Sequence, residues 1–307
     1  MTLKPHIPIE SYESQYMRIL TNIYKFGYED GANERTSFKT KRLPSQIIKV
    51  DLKREFPILK TKFVAGITAL KEILWIWQKR SNNIKDLDAK IWNKWADENG
   101  SIGKAYGYQA GMPVATNIDG LKRKEFRFYE SQMLYIIEYL REMPNGRQAV
   151  ATLWNPGELN NMNLVPCCHT VTFNIMDGRL NCTLDQRSGD MPYGVPFNTT
   201  QYAELTHLIA KELGVEVGIL THVISDAHIY FNQMEGVRKQ IENYRLLLNL
   251  NNESECKLSR KELNKILISK PKFEVNDFIN FWEVKPENCK IVNYHYMEKI
   301  DFGDVIV

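Results

Sequence analysis

The chain has 307 residues, 43% of them apolar and 25% charged, and a net charge of +3. That balance fits a soluble globular protein with a large core; so small a charge leaves no electrostatic footprint for nucleic acid, and no apolar run approaches the ~20 residues of a membrane span. The five cysteines, odd in number and without a CxxC pair, suggest neither a disulfide framework nor a zinc site, and the opening MTLKPHIPIESYES has no apolar core of a secretory signal; a cytoplasmic protein with reduced thiols and no bound metal is expected.

Tyr12, Tyr16, Ile19, Leu20 and Ile23 recur at helical spacing and predict a helix over residues 10–30, with Gly27 as its stop. The basic segment Glu34 to Arg42 reads as a solvated loop, and Ile47 to Leu52 as a short strand. Phe63 to Gln78 carries the strongest helix signal, with Ile67, Leu70, Ile73, Leu74 and Trp77 as its main stripe. Glu72 lies on the other side among Ala65, Ala69, Trp75 and Ile76, so this helix is apolar nearly all round. A carboxylate there is either a satisfied structural group or a proton-transfer group with a raised pKa, and periodicity does not choose between them. Ser81 to Asp88 reads as loop, and Asp97 to Gly100 as a turn. Gly103 to Gly111 is glycine-rich but matches neither a P-loop nor a dinucleotide fingerprint. Phe128 to Glu142 predicts a second amphipathic helix, ended by Pro144-Asn145-Gly146, and Arg147 opens a strand that runs to Trp154.

Thr170 to Met176 alternates, turns at Asp177-Gly178 and alternates back through Leu180 to Leu184, the pattern of a hairpin. Thr200 to Leu213 predicts a helix stopped by Gly214, and Ile219 to Tyr230 a buried strand carrying Asp226, His228 and Tyr230 at its end. His228 and Tyr230 are two apart and share a face. A helix over Phe231 to Leu250, a polar loop over Asn249 to Ser254, a strand-like segment over Phe278 to Val284 and an apolar terminus at Asp304 to Val307 complete the chain. With no repeat and no linker, a single α/β-rich domain over residues 1–307 is expected.

The chemistry-bearing residues concentrate between Leu164 and Asn198. Cys167 follows Pro166 at a strand start, and Arg187 and Ser188 follow on the returning strand, where they can bind an anion. A guanidinium beside a thiol also favours the thiolate, the nucleophilic form. Asn198 offers both a donor and an acceptor, which suits the edge of an amide-like ring. A lone cysteine is ordinarily a small buried hydrophobe; the density of polar groups here favours a nucleophile. His228 is either a core histidine or, with Tyr230, part of a ligand site.

Together these segments resemble the folate-dependent thymidylate synthases. The residues that carry the resemblance are Pro166-Cys167, Gln186-Arg187-Ser188-x-Asp190, Gly194-x-Pro196-Phe197-Asn198 with Tyr202, and Asp226-x-His228-x-Tyr230. Earlier in the chain they are Phe56-Pro57, Thr61-Lys62, Glu72 in KEILWIW, Ile91-Trp92 and Trp95 in IWNKWADENG, Tyr106, and Leu153 to Leu159. They span residues 10–307 and run in family order. The resemblance implies an α/β (α+β) fold: a large mixed sheet covered by helices, with sheet faces packing in a homodimer. It implies that Cys167 adds to C6 of a uracil nucleotide, so that C5 attacks the methylene of 5,10-methylenetetrahydrofolate, giving dTMP and dihydrofolate. Ungapped spacing to Asp177-Gly178 matches Cys167 rather than Cys168. By resemblance, Glu72 moves protons near the pyrimidine and Asn198 reads O4 and N3. Asp190 faces the pterin, and Tyr106 and Trp92 surround the folate and the C5 proton. Arg35, Gln186, Arg187 and Ser188, with His228 and Tyr230 at the sugar, match dUMP-binding residues; Arg147 matches a phosphate ligand donated by the partner subunit. Lys62, Ile91, Trp92, Tyr193, Gly194, Phe197 and Val307 match the folate side.

Several positions depart from the family pattern. Gln148 stands where a second phosphate-binding Arg is expected, and the lysines of the loop Ser37 to Lys41 are candidates to compensate. Tyr193 replaces a common Leu, Ser225 a Gly, and Cys168-His169 follows the nucleophile. A sister activity hydrates the bound methylene, giving 5-hydroxymethyl-dUMP and tetrahydrofolate. Tyr193 and Ser225 argue for it; Trp92 and Val307, which shield and close the site in the synthases, argue for methylation, which is the favoured reading. A non-catalytic nucleotide- or RNA-binding paralogue is disfavoured by the intact Cys167, Glu72, Asn198 and Asp190.

Overall fold

The computed structural model describes residues 9–31, 38–116, 127–248 and 258–304. Arg35, Ser37, the loop over Asn249 to Ser254 and Val307 lie outside the described residues.

The helices are α1 (Tyr12–Phe26), α2 (Gly66–Trp77), α3 (Gly107–Ala110), α4 (Gln132–Glu142), α5 (Gly194–Leu213), α6 (Met234–Leu248) and α7 (Arg260–Ile268). The strands are β1 (Tyr28–Asp30), β2 (Thr40–Asp51), β3 (Val114–Thr116), β4 (Arg127–Tyr129), β5 (Val150–Thr152), β6 (Cys168–Met176), β7 (Arg179–Gln186), β8 (Gly189–Asp190), β9 (Glu216–Tyr230), β10 (Lys272–Val275) and β11 (Cys289–Val292). The main sheet runs β1-β2-β9-β7-β6-β5, with β8 continuing along β9. It is mixed: β7 and β8 are parallel to β9, and the remaining pairs are antiparallel. Two small hairpins, β3-β4 and β10-β11, lie outside it.

The parallel pair has a covalent cause. Two parallel strands need a crossover, and α5 supplies it between β8 and β9. The helix therefore starts at the carboxyl ends of β7 and β8, where ligands of open α/β sheets bind. It starts at Gly194, six positions before the expected Thr200. Pro196 sits in the first turn, where its missing N–H has no helical partner to lose. Asn198 is thus on a helix, not in a loop.

The β6-β7 hairpin turns as expected at Asp177 and Gly178, which have φ of 54° and 71°, the left-handed pair of a type I′ turn. The burial of β7 alternates strictly, with Leu180, Cys182, Leu184 and Gln186 inside. A bulge interrupts β6-β7 between Cys168 and Thr170, so the extra residue is His169. Gly189 is required by close approach: a Cβ there would come within 2.7 Å of Ile224 and 2.8 Å of Val195.

Other expectations shift for identifiable reasons. Thr40 to Arg42 is not a solvated loop but the start of β2, paired with Tyr230 to His228; Lys41 pairs with Glu29, and Arg42 with Asp30 and Asp226. The long edge of β9 draws this segment into the sheet. The second amphipathic helix begins at Gln132, capped by Ser131, while Phe128 belongs to β4. The strand expected from Arg147 is confined to Val150–Thr152, because Gln148 is tied through its backbone to Tyr135 and Tyr139 of α4. Phe278 to Val284 is not a strand: Asn280 accepts the N–H groups of Trp282 and Glu283, a local pairing that competes with a ladder.

Glu204, in the middle of α5, is fully buried, and among the described residues neither carboxyl oxygen has a hydrogen-bond partner. Burial holds its pKa well above the ordinary 4.5. Burial, and then the nearby Glu204 carboxyl, push the Cys289 thiol up to about 12. The ionisation part of the cost of burying Glu204 is absent below pH ~4.5 and grows as pH rises from there toward the folded pKa, while the unmet hydrogen bonds of the buried acid cost at every pH. Glu204→Leu is expected to raise stability at pH 7 by roughly 1–3 kcal/mol, with a smaller gain near pH 4; thermal melts at both pH values check this.

Candidate active site

One hollow of about 320 Å³ opens at the carboxyl ends of β7 and β8. Glu72, Tyr106, Cys167, Gln186, Ser188, Asp190, Asn198, His228 and Tyr230 line it, together with Ile91, Trp92, Tyr193, Gly194 and Phe197. These residues come from points more than 150 positions apart in the chain, so the fold unites most of the site expected from sequence. Arg187 and Lys62 adjoin the hollow through its wall residues Cys167 and Tyr193. Arg147 does not line it; it is exposed on the segment after α4. Ser225 is also exposed and lines no part of the hollow.

Cys167 immediately precedes β6 and is half-buried. Its N–H donates to the Tyr106 hydroxyl at 3.0 Å. Arg187 clasps the same loop: Nε donates to the Pro166 carbonyl at 3.0 Å and Nη2 to the Val165 carbonyl at 2.9 Å, with Nη2 3.9 Å from Cys167 Sγ. The guanidinium thus fixes the thiol's position and adds a positive charge beside it. Cys168 is buried, donates to Gln186 Oε1 at 3.5 Å, and has its pKa pushed well up by burial. The two neighbouring thiols therefore occupy different environments.

Glu72 is 6% exposed on α2. Burial pushes its pKa up to about 7 against hydrogen bonds from Gln201 and Trp92. The open alternative for Glu72 is thereby narrowed: it is buried, faces the hollow and titrates near neutrality. Behind it the rings of Trp75, Trp92, Trp95 and Tyr106 pack edge and tilt, with Trp92 4.9 Å from Tyr106. Tyr106 takes φ of 40° to present its hydroxyl, a backbone strain of the kind that clusters at functional sites.

On the opposite wall, β8 sets Asp190 beside His228. Burial raises the Asp190 pKa; His228 and Gln233 oppose that, Gln233 Nε2 donating to both carboxylate oxygens at 3.2 and 3.1 Å. His228 Nδ1 lies 3.2 Å from Asp226, and its ring meets Tyr230 edge-on. Lys62 is buried, donates to the Pro192 carbonyl, and lies 5.0 Å from the Phe302 ring centre; burial lowers its pKa to about 8. Tyr193 donates to the Gly303 carbonyl at 2.7 Å and accepts from the Phe302 N–H, tying the hollow's rim to the C-terminal segment.

Three groups were missed in the sequence. Gln201 stands between Asn198 and Glu72. His222 is fully buried, 2.7 Å from Gln186 Oε1 and 3.0 Å from Thr199 Oγ1. Gln186 Nε2 donates to the Ser188 carbonyl, so its oxygen faces His222, which must carry its proton on Nε2. Gln233 holds Asp190. The available signal was a polar side chain on a core-facing position of a helix or strand. Among the described residues, no group of His, Cys, Asp and Glu is placed to hold a metal ion, and no helix is long and apolar enough to cross a membrane.

A thiol fixed beside a guanidinium, a carboxyl titrating near neutrality and a side-chain amide around one hollow have the make-up of a covalent-catalysis site. Residues 14–306 match the family model described as thymidylate synthase. The chain is 38% identical to a thymidylate synthase of Clostridium beijerinckii, over 94% of this chain and 97% of that protein, and 32% identical to one of Bacillus licheniformis, over 95% and 98%. Its structure is similar to the thermostable thymidylate synthase A from Bacillus subtilis, with a TM-score of 0.79 at 30% identity, covering 95% of this chain and 98% of that one. The chain belongs to the thymidylate synthase family, one-carbon transferases on a large mixed sheet. Among the four described cysteines, iodoacetamide is expected to modify Cys167 first; peptide mass mapping at low reagent excess checks it, and first labelling of Cys168 would contradict the assigned environments.

Proposed function

We propose that this hollow binds dUMP and 5,10-methylenetetrahydrofolate and transfers the one-carbon unit to C5 of uracil, releasing dTMP and dihydrofolate. The observation that carries the reading is the Cys167 thiol held 3.9 Å from a guanidinium in the same hollow as Glu72 and Asn198. The thiolate adds to C6, and the displaced electrons make C5 nucleophilic. Asn198 offers an acceptor to N3–H and a donor to O4, while Glu72, near half-protonation at neutral pH, gives and takes protons at the ring. After bond formation at C5 the ring loses its C5 proton and the bond from the transferred carbon to the folate nitrogen breaks. Hydride from the tetrahydrofolate then reduces that carbon to a methyl group, the electron pair displaced onto the ring expels Cys167 as thiolate, and dihydrofolate is left.

The Nη1 edge of Arg187, opposite the Nε and Nη2 groups that hold the loop carbonyls, and Ser188 suit the phosphate; Arg35 is a further phosphate ligand by family resemblance alone. Gln186 braces Ser188, and His228 and Tyr230 suit the sugar hydroxyl. The folate supplies both the carbon and the reducing hydride. The apolar wall of Ile91, Trp92, Tyr193 and Phe197 fits a flat ring system, with Asp190 to accept from ring N–H groups and Lys62 and Gly194 around it; Val307 is assigned to the folate by family resemblance alone. Arg147, exposed and outside the hollow of its own chain, suits the phosphate of a second copy in a homodimer whose sheet faces pack together. A cytoplasmic location belongs to the same reading.

Hydration of the bound carbon, the competing outcome, is weakened. Ser225, one of the two residues that favoured it, is exposed, and the relatives named above are synthases. Buried Trp92 and Tyr106 form part of the hollow's wall, and apolar rings beside the bound carbon would favour hydride transfer over hydration.

Dihydrofolate formation, followed by absorbance, is expected with dUMP and methylenetetrahydrofolate and is expected to vanish in Cys167→Ala. Turnover retained in that variant would sink the covalent route. Glu72→Gln should lower kcat about a hundredfold or more while dUMP affinity changes little. For the subunit claim, Arg147→Ala should weaken dUMP binding, and mixing it with inactive Cys167→Ala should regain activity, because one hybrid site has both groups; no gain on mixing would contradict it.

A further inference from the structure

We infer that Gln201 is a positioning residue that fixes the facing of the Asn198 amide and thereby makes the hollow read uracil and reject cytosine. The inference rests on the dUMP reading above. Gln201 follows Asn198 by three residues on α5, so their side chains are neighbours on the helix surface, and it is 1% exposed.

The direction of the hydrogen bonds follows from one backbone group. Gln201 Nε2 donates to the Ala69 carbonyl on α2 at 3.4 Å. A carbonyl only accepts, so that end of the Gln201 amide is nitrogen and the other end is oxygen. The oxygen faces Asn198 at 3.0 Å, and an amide oxygen also only accepts. Asn198 must therefore turn its nitrogen toward Gln201. The hydrogen bond between Gln201 and Glu72 belongs to the same network.

Uracil presents an N–H at N3 and a carbonyl at C4; cytosine presents a lone pair at N3 and an amino group at C4. A freely turning amide can serve either edge. Here a half-turn of Asn198 would set its oxygen against the Gln201 oxygen, two acceptors with no hydrogen between them in a water-poor site. A half-turn of both amides would set the Gln201 oxygen against the Ala69 carbonyl. Base choice is thus anchored two hydrogen bonds behind the base, on the backbone of another helix.

The test compares dUMP and dCMP dissociation constants by calorimetry in wild type, in Gln201→Met, which keeps the volume and removes both polar ends, and in Gln201→Ser, whose hydroxyl donates or accepts and imposes no direction. The preference for dUMP over dCMP is expected to shrink about tenfold or more in both variants. A packing role alone would weaken both nucleotides together, so an unchanged ratio in either folded variant, with wild type turning dUMP over, overturns this inference alone. Wild type that fails to turn dUMP over overturns the functional reading, and this inference with it.

Discussion

The parallel pairing of β7 and β8 with β9 is the constraint on which the site depends. Because parallel neighbours cannot be joined by a tight turn, the chain must leave β8, cross over as α5 and return as β9. That detour places three things at one edge: the loop before β6 with Cys167, the strand ends with Arg187 and Asp190, and the first turn of α5 with Asn198. Gly189 lets β8 lie against Ile224 closely enough for this to happen. Replacing that pair by an antiparallel one would scatter the Cys167 thiol, the Arg187 guanidinium and the Asn198 amide to different ends of the sheet.

Around that edge, burial is the dominant electrostatic influence. It raises Glu72 to about 7, lowers Lys62 to about 8, and raises Asp190. In each case specific partners act against it: Gln201 and Trp92 at Glu72, Asp190 at Lys62, His228 and Gln233 at Asp190. The result is that Glu72 and Lys62 are both brought toward neutrality beside the hollow, which suits proton movement at a pyrimidine ring. Glu204 shows burial acting without such partners. It has no counterpart in the proposed chemistry and stands as a stability cost inside the crossover helix.

Most of the fold was legible because local signals agree with the tertiary structure. The all-round apolar α2, the Asp177-Gly178 turn and the Gly214 stop need no information from elsewhere in the chain. The misassignments have two causes: a distant partner that overrides local character, and a local side-chain hydrogen bond that an apolar pattern does not show. Thr40 to Arg42 is polar and basic, yet β9 pairs it; Phe278 to Val284 is apolar, yet Asn280 within it curls it; the helix expected from Thr200 starts at Gly194, where the crossover leaves β8. At the site, Cys167, Glu72 and Asn198 stood out by chemistry and by family resemblance. Gln201, His222 and Gln233 did not, because each acts through another side chain and its meaning exists only once helices and strands are packed.

The central claim is that a one-carbon unit reaches C5 of uracil and leaves this site as a methyl group. Mass spectrometry of the nucleotide formed from dUMP and 5,10-methylenetetrahydrofolate tests it most directly. The account predicts dTMP; recovery of 5-hydroxymethyl-dUMP, or of dUMP unchanged, would contradict it.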